Sequence, residues 1–459
     1  MAPTVRSFSA DLEPLNLIER FPEAYPGLLE SGAAMDAAGG SRYDILPMAC
    51  GECLRLGSDR LLSGPYSGAP GFLAALEQWW MSLRLSPAAP ELKDPPAIAT
   101  LPFSGGWLLY LGYELAAEIE SRLRLPACVD PVIALAIRTP AAWIRDRSSG
   151  RAWLVAESGY ESLLDDFESR ARHARDIALE RGTLFQIEED EPAAFQGSVR
   201  RALEYIAAGD VYQANLSREW RGRAAHPVAP VTVYQRLRAT NPSPFAALLR
   251  HGDFALLSSS PERLVSVRGD AVSTRPIAGT RPRGATAADD ALLIRSLLDN
   301  EKERAEHVML IDLERNDLGK ICVGGSVRVD EYMSVETYAH VHHIVSNVSG
   351  RLRADRSPID VIRALFPGGT ITGCPKVRCM EIIAELEGVG RGAYTGSIGY
   401  LNRDGSCDLN ILIRTITAQG GLFRFRAGAG IVADSNPAQE LAETRAKAEG
   451  LLRALKAGP

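Results

Sequence analysis

In the second half of the chain, strand-like and helix-like stretches come in runs rather than one for one, and this ordering restricts the fold more than any other feature. The strand patterns "FALLSSSPERLVSV", "GSIGYL", "NILIRTITA" and "LFRFRAGAGIV" are separated irregularly by long helical patterns. A doubly wound parallel sheet needs strict alternation, so the ordering predicts an α+β body. Up to about residue 155 the chain reads as short strands and turns with helices between, as in "RYDILPMA", "GGWLLYLGYELA" and "AAWIRD". A helical pattern follows over 160–182, then the acidic, proline-containing "EEDEPAA" at 188–194, which reads as a linker. Beyond it Val199, Leu203 and Ile206 mark the apolar stripe of a helix. The expected organisation is an N-terminal region over 1–187 and a C-terminal region over 195–459.

Composition narrows the class. With 459 residues, 46% apolar and 24% charged, the chain can bury a sizeable core. A net charge of −6 leaves no nucleic-acid footprint over the whole chain. No apolar run approaches the roughly 20 residues of a membrane span, and "MAPTVRSFSADLEP" lacks the basic-then-apolar pattern of a secretory signal. Seven scattered cysteines, an odd count without framework spacing, fit a reducing cytoplasm. "CGEC" (50–53) is the one close pair, and without a second pair at zinc spacing it predicts no metal or redox centre.

Several segments could carry chemistry. In the helical "DNEKERAEHVMLIDLERND" (299–317), Glu303 and Glu306 are three apart and share a face. Glu440 and Glu443 repeat the spacing near the C-terminus. Four carboxylates on two helices suit Mg²⁺, which takes one or two directly and keeps waters; two solvated helix faces with a Glu443–Lys447 ion pair are the alternative. In "RAGAGIVADS", Gly428 and Gly430 would let backbone amides approach a carboxylate. Arg414, read as part of the strand "NILIRTI", must find a partner, either a substrate carboxylate or a structural acid. In "FPGGTITGCPKVRCMEIIAEL", Thr370 or Thr372 and the loop amides would face an anion at a helix start, with Pro375 in its first turn. "AHVHHIVS" alternates His340 and His342 against His343, which denies a three-histidine zinc site and leaves one histidine as a proton carrier.

The segment "STRPIAGTRPRG" (273–284) is a rigid corner: Pro276 and Pro282 forbid a regular helix, and Arg275, Arg281 and Arg283 could bind an anion. Its approach strand folds back about Gly269–Asp270 as a hairpin, which would set Glu262 opposite Ala278 to within about a residue. An acid beside a methyl leaves room for a substrate.

"SSSPERL", "PIAGTRPRG", "DNEKERAEH", "DLERNDLGK", "GCPKVRCMEII", "GSIGY", "RAGAGIVADS" and "ETRAKA" occur in that order. The set resembles the chorismate-utilising enzymes, tightly over about 197–457 and more loosely before. The resemblance implies two large antiparallel sheets packed as a sandwich, helices outside, and an active site between. It implies that Glu306 and Glu443 hold Mg²⁺, with Glu303 and Glu440 supporting through water. It gives Arg414, Tyr394, Gly428, Gly430 and Lys447 to the carboxylates of chorismate, with Thr370 nearby. Glu262 becomes the acid that protonates the departing C4 hydroxyl, and His343 the active-site histidine. Thr280, in the corner, joins the catalytic set.

The water-using members carry a lysine where this chain has Gln213, and a glutamine is no general base; the resemblance is therefore to the ammonia-using members. "FPGGTITGCPK", "VHHIVS", "RYDIL" and "LPFSGGWLLYLGYELA" resemble aminodeoxychorismate synthase, whereas "PIAGTRPRG" resembles anthranilate synthase, because many aminodeoxychorismate synthases carry lysine at the place of Ala278. "LLESG" and "NPSPF", with Ser31 and Pro242, resemble the family's tryptophan site. The chain has no glutaminase constellation, so the resemblance implies ammonia from a separate glutamine amidotransferase subunit.

Overall fold

The structure, a computed structural model, describes residues 3–32, 42–85, 101–174, 185–338 and 341–456. Two antiparallel sheets of twelve and eleven strands dominate it. The first runs from Thr4–Phe8 at one edge through Gly27–Glu30, Phe245–His251, Phe254–Ser260, Thr415–Gln419, Leu422–Ile431 and Gln213–Ala224 to Phe185–Glu189 at the other. The second runs from Ile277–Pro282 through Val341–Arg351, Ala271–Arg275, Arg263–Arg268, Cys407–Asn410, Ser397–Asn402 and Gly106–Leu111 to Leu62–Ser63. This is the α+β sandwich expected from the sequence.

The central strands are buried on both faces, which explains their unbroken apolar character. In Gly106–Leu111, Trp107, Leu109 and Leu111 join a core under the outer helices. The alternate residues Leu108 and Tyr110 join a second core, which also holds Leu249, Phe254 and Leu256 of the first sheet. The period of two thus feeds two separate cores from one strand. Helices Pro14–Arg20, Pro230–Thr240 and Pro437–Lys456 cover the first sheet. Phe72–Leu83 and Pro358–Leu365 cover the second.

N-terminal and C-terminal strands meet inside each sheet. Gly27–Glu30 pairs with Phe245–His251 through Leu28↔Leu248, and Gly106–Leu111 pairs with Ser397–Asn402 through Trp107↔Leu401. The stretch read as a linker is not one. Phe185–Glu189 is an edge strand on Gln213–Ala224, and a helix starts at Pro192. The acidic residues misled because Arg218, Arg221 and Arg445 pair with them.

Two further expectations need correcting. The hairpin forms about Gly269–Asp270, but its pairing ends at Arg263↔Arg275. Pro276 interrupts the strand, and Ala278 pairs with Ile344 instead of facing Glu262. Arg414 lies outside any strand: Cys407–Asn410 ends before it, Thr415–Gln419 begins after it, and its φ is 51°. No glycine or proline in "NILIRTI" signals that break.

Candidate active site

Glu262 and Arg414 each sit where the chain changes sheets. Phe254–Ser260 belongs to the first sheet and Arg263–Arg268 to the second; Cys407–Asn410 belongs to the second and Thr415–Gln419 to the first. The two crossings are tied together: the Ser259 N–H donates to Arg414 O at 3.1 Å and the Ile411 N–H to Glu262 O at 3.0 Å. Strand pairing therefore brings a carboxyl and a guanidinium within electrostatic reach of each other, from residues about 150 positions apart in the chain.

Glu262 is 4% exposed, and its Oε1 has no hydrogen-bond partner among the described residues. Burial pushes its carboxyl up to about 7, while the Thr370 hydroxyl, the Ile277 amide, Lys447 and Arg414 pull it down. Among the described residues the Arg414 guanidinium has no ion pair or hydrogen bond, and burial lowers its pKa although Glu262 opposes this. His343, on Val341–Arg351, is neutral: burial first, then Arg414, push it down to about 3. Its Nδ1 lies 2.9 Å from Thr280 Oγ1 and 3.3 Å from Gly279 O. A carbonyl only accepts, so the contact with Gly279 places the proton on Nδ1 and leaves Nε2, which has no partner among the described residues, as a bare acceptor. Thr370 lies in a short helical turn over Gly369–Ile371, its hydroxyl beside the Glu262 carboxyl, while Thr372 is spent on Gly368 O at 2.9 Å.

A second group forms the adjoining wall. Gly428 and Gly430 come from Leu422–Ile431, and Gln213 from its neighbour Gln213–Ala224. A Cβ on Gly430 would lie 2.2 Å from Gln213 Nε2; one on Gly428 would lie 2.5 Å from the Tyr394 hydroxyl. Burial raises Tyr394 to about 12, so it stays a phenol. Beneath it Arg391 stacks at 5.4 Å and pairs with Glu387 at 2.7 Å, and Glu387 also holds Arg426 at 3.1 Å. Lys447 donates to Gly428 O at 3.0 Å and pairs with Glu443 at 2.7 Å.

The four candidate metal carboxylates are divided. Glu303 gives one oxygen to Arg281 at 2.7 Å and keeps a buried Oε2 without a partner among the described residues, an atom a cation would satisfy. Glu306 is half-buried on the same helix, Glu440 is buried, and Glu443 is exposed and held by Lys447. The donor chemistry fits Mg²⁺, although among the described residues no three acidic, histidine or cysteine side chains converge into a ligand cage.

The corner arginines do not form an anion site, contrary to expectation. Arg275 pairs with Glu331 and Glu336, Arg281 with Glu303, and Arg283 with Asp290. A partly buried guanidinium recruits carboxylates from its own neighbourhood, and here each finds one. His342 turns away to Asp290 at 2.9 Å, and His340 lies outside the described residues. Ser31 and Pro242 belong to neighbouring segments, linked by Gly32 N–H to Ser243 O at 2.8 Å. The Ser31 hydroxyl donates to Tyr43 O at 2.9 Å. Neither lines the nearby cavity of about 910 Å³, whose walls include Glu30, Tyr43, Phe245, Arg263, Tyr400 and Asp408.

Two buried residues escaped the sequence reading. Asn215 is two beyond Gln213 on one strand and so shares its face. Glu314 is eleven beyond Glu303 on Glu301–Gly319, close to three full turns, and is 5% exposed. Both spacings were available.

The family model for the chorismate binding enzyme matches residues 67–453. The chain is 44% identical over 368 residues to the anthranilate synthase component I-like protein of Synechocystis, covering 78% of this chain and 74% of that one. It is also 44% identical over 369 residues to aminodeoxychorismate synthase component 1 of Bacillus subtilis, covering 77% of each. The crystal structure of anthranilate synthase component I from Streptococcus pneumoniae superposes with a TM-score of 0.77 at 31% identity, over 92% of this chain and 94% of that one.

Proposed function

The chain belongs to the chorismate-binding enzymes, and from that premise we propose that it exchanges the C4 hydroxyl of chorismate for an amino group. The product is 4-amino-4-deoxychorismate, a precursor of 4-aminobenzoate and folate. The observation that carries this reading is the pair at the sheet crossings: a buried acid that burial pushes up to about 7, near a guanidinium that makes no salt bridge or hydrogen bond to a carboxylate among the described residues. A dianionic substrate supplies the missing carboxylate to Arg414, aided by Tyr394, the Gly430 backbone and Lys447. Glu262 then protonates the C4 hydroxyl, which departs as water, since hydroxide leaves poorly unassisted. Ammonia supplies the nitrogen and returns a proton to the Glu262 carboxylate, so chorismate plus ammonia becomes aminodeoxychorismate plus water. Neutral His343 accepts a hydrogen bond through Nε2 and adds no further positive charge to the pocket.

Mg²⁺, held by Glu306 and Glu443 with Glu303 and Glu440 through water, would neutralise a substrate carboxylate and orient the ring. The ammonia comes from a separate glutamine amidotransferase subunit. Attack at C4 is favoured by "FPGGTITGCPK" and "VHHIVS", the segments that resemble aminodeoxychorismate synthase. Ala278 favours a second reading, anthranilate synthesis, because a methyl offers no amine to attack the ring first.

The test supplies chorismate, Mg²⁺ and ammonium chloride with and without aminodeoxychorismate lyase. 4-Aminobenzoate formed only with the lyase is the expected result; fluorescent anthranilate without it would transfer the assignment to the second reading.

A further inference from the structure

Arg391 lies just past the helix Lys376–Glu387, is 2% exposed, and is stacked between two tyrosine rings, Tyr113 at 5.1 Å and Tyr394 at 5.4 Å. A guanidinium carries five N–H groups, and here each has an acceptor. Nε donates to Glu387 Oε2 at 3.1 Å, and Nη2 to Glu387 Oε1 at 2.7 Å. The other Nη2 proton goes to Asn215 O at 2.6 Å. The two on Nη1 go to Ile371 O at 3.3 Å and Thr395 Oγ1 at 3.4 Å.

These contacts reach three walls of the candidate site. Asn215 O belongs to the strand that begins at Gln213, Ile371 O ends the turn that carries Thr370, and Tyr394 is the phenol facing Gly428. The anchor behind them is equally fixed. Glu387 accepts from the Ser217 N–H at 2.8 Å and the Ser217 hydroxyl at 2.9 Å, and it holds Arg426 at 3.1 Å. The Arg391 N–H itself donates to Glu114 at 2.7 Å. Charge balance for the buried guanidinium needs only Glu387. The bonds to Asn215 O and Ile371 O do something further: they tie a strand and a turn to one planar group.

We infer that Arg391 is a positioning residue for the reaction: it holds the Thr370 turn, the Asn215 main chain and the Tyr394 ring in one arrangement, and so keeps the Thr370 hydroxyl against Glu262. The inference rests on the reading of Glu262 as proton donor given above. The Thr370 hydroxyl favours the Glu262 anion, as do the Ile277 amide, Lys447 and Arg414 from other segments; Glu314 is within electrostatic reach from the helix Glu301–Gly319. When the turn loses its hold, the hydroxyl leaves the carboxyl, which then keeps its proton to higher pH.

The experiment uses the full chain with chorismate, Mg²⁺ and saturating free ammonia, following chorismate consumption by its ultraviolet absorbance as a function of pH. It compares the wild type with Thr370→Val, Arg391→Lys, Arg391→Gln and the double variant Arg391→Gln/Thr370→Val. Lysine keeps the charge but gathers its donors on one atom, which cannot span Glu387, Asn215 O and Ile371 O together. Arg391→Lys should lower kcat/KM for chorismate about 10²-fold. It should also move the falling limb of kcat up by about one pH unit, as Thr370→Val does. Arg391→Gln leaves Glu387 balanced by Arg426, and it decides the matter if the lysine variant does not fold. In the double variant the limb should stay where Thr370→Val alone puts it. A further shift there would mean that the lost charge acts on Glu262 directly, and an unmoved limb in the single variants would mean that Arg391 only supports the fold; either result overturns the inference. A wild-type rate that does not fall on the alkaline side would instead overturn the reading of Glu262 itself.

Discussion

Glu262 is poised by opposing influences, and each can be removed singly. As a proton donor it works in its protonated form, so the rate should fall as pH rises through about 7. Thr370→Val removes an influence that favours the anion, so the falling limb should move to higher pH in a kcat–pH profile. Glu262→Gln should cut kcat by about 10²-fold or more with little change in KM for chorismate; a large KM change at constant kcat would make it a binding residue. Glu314 is the simpler case. Burial raises its carboxyl to about 8, above the value it has unfolded. The folded state therefore holds its proton more tightly, and the resulting stability is present in acid and lost as pH rises toward 8. Glu314→Gln should melt close to the wild type at pH 5 and at a higher temperature at pH 9, as measured by circular dichroism.

The glycine-faced strand offers two substitutions that look alike and should behave differently. A methyl at Gly428 meets the Leu216 carbonyl at 2.6 Å, main chain that cannot yield without breaking the sheet. A methyl at Gly430 meets only the end of the Gln213 side chain. Gly428→Ala should lower stability by about 1–3 kcal/mol, whereas Gly430→Ala should keep its melting temperature and lose activity. Periodicity made these strands legible, as it did the Glu301–Gly319 and Pro437–Lys456 helices with their paired carboxylates. The sheet crossings were not legible. Glu262 could be named from its motif, but its nearness to Arg414 depends on pairing across some 150 residues, which no local pattern encodes. The corner arginines failed for the same reason: their charges are visible in the sequence, while Glu331, Glu336 and Asp290 become their partners only on folding.

At the scale of the whole molecule, both sheets draw strands from the two halves of the chain, so neither half has a complete sheet of its own. Removing residues 1–190 would strip the pairing partners from Phe245–His251 and Ser397–Asn402 and expose two apolar edges. Such a fragment should be aggregation-prone and lack a cooperative thermal transition, as read by calorimetry. The same seams set a timetable for synthesis. Leu28 must wait for Leu248, and Trp107 for Leu401, before either strand has its neighbour. At about 5–20 residues per second, the waits last on the order of tens of seconds on the ribosome. For that time each strand carries an open edge on the side its distant partner will take. The architecture that aligns an acid with a guanidinium across two crossings therefore makes the nascent chain a natural client for chaperones.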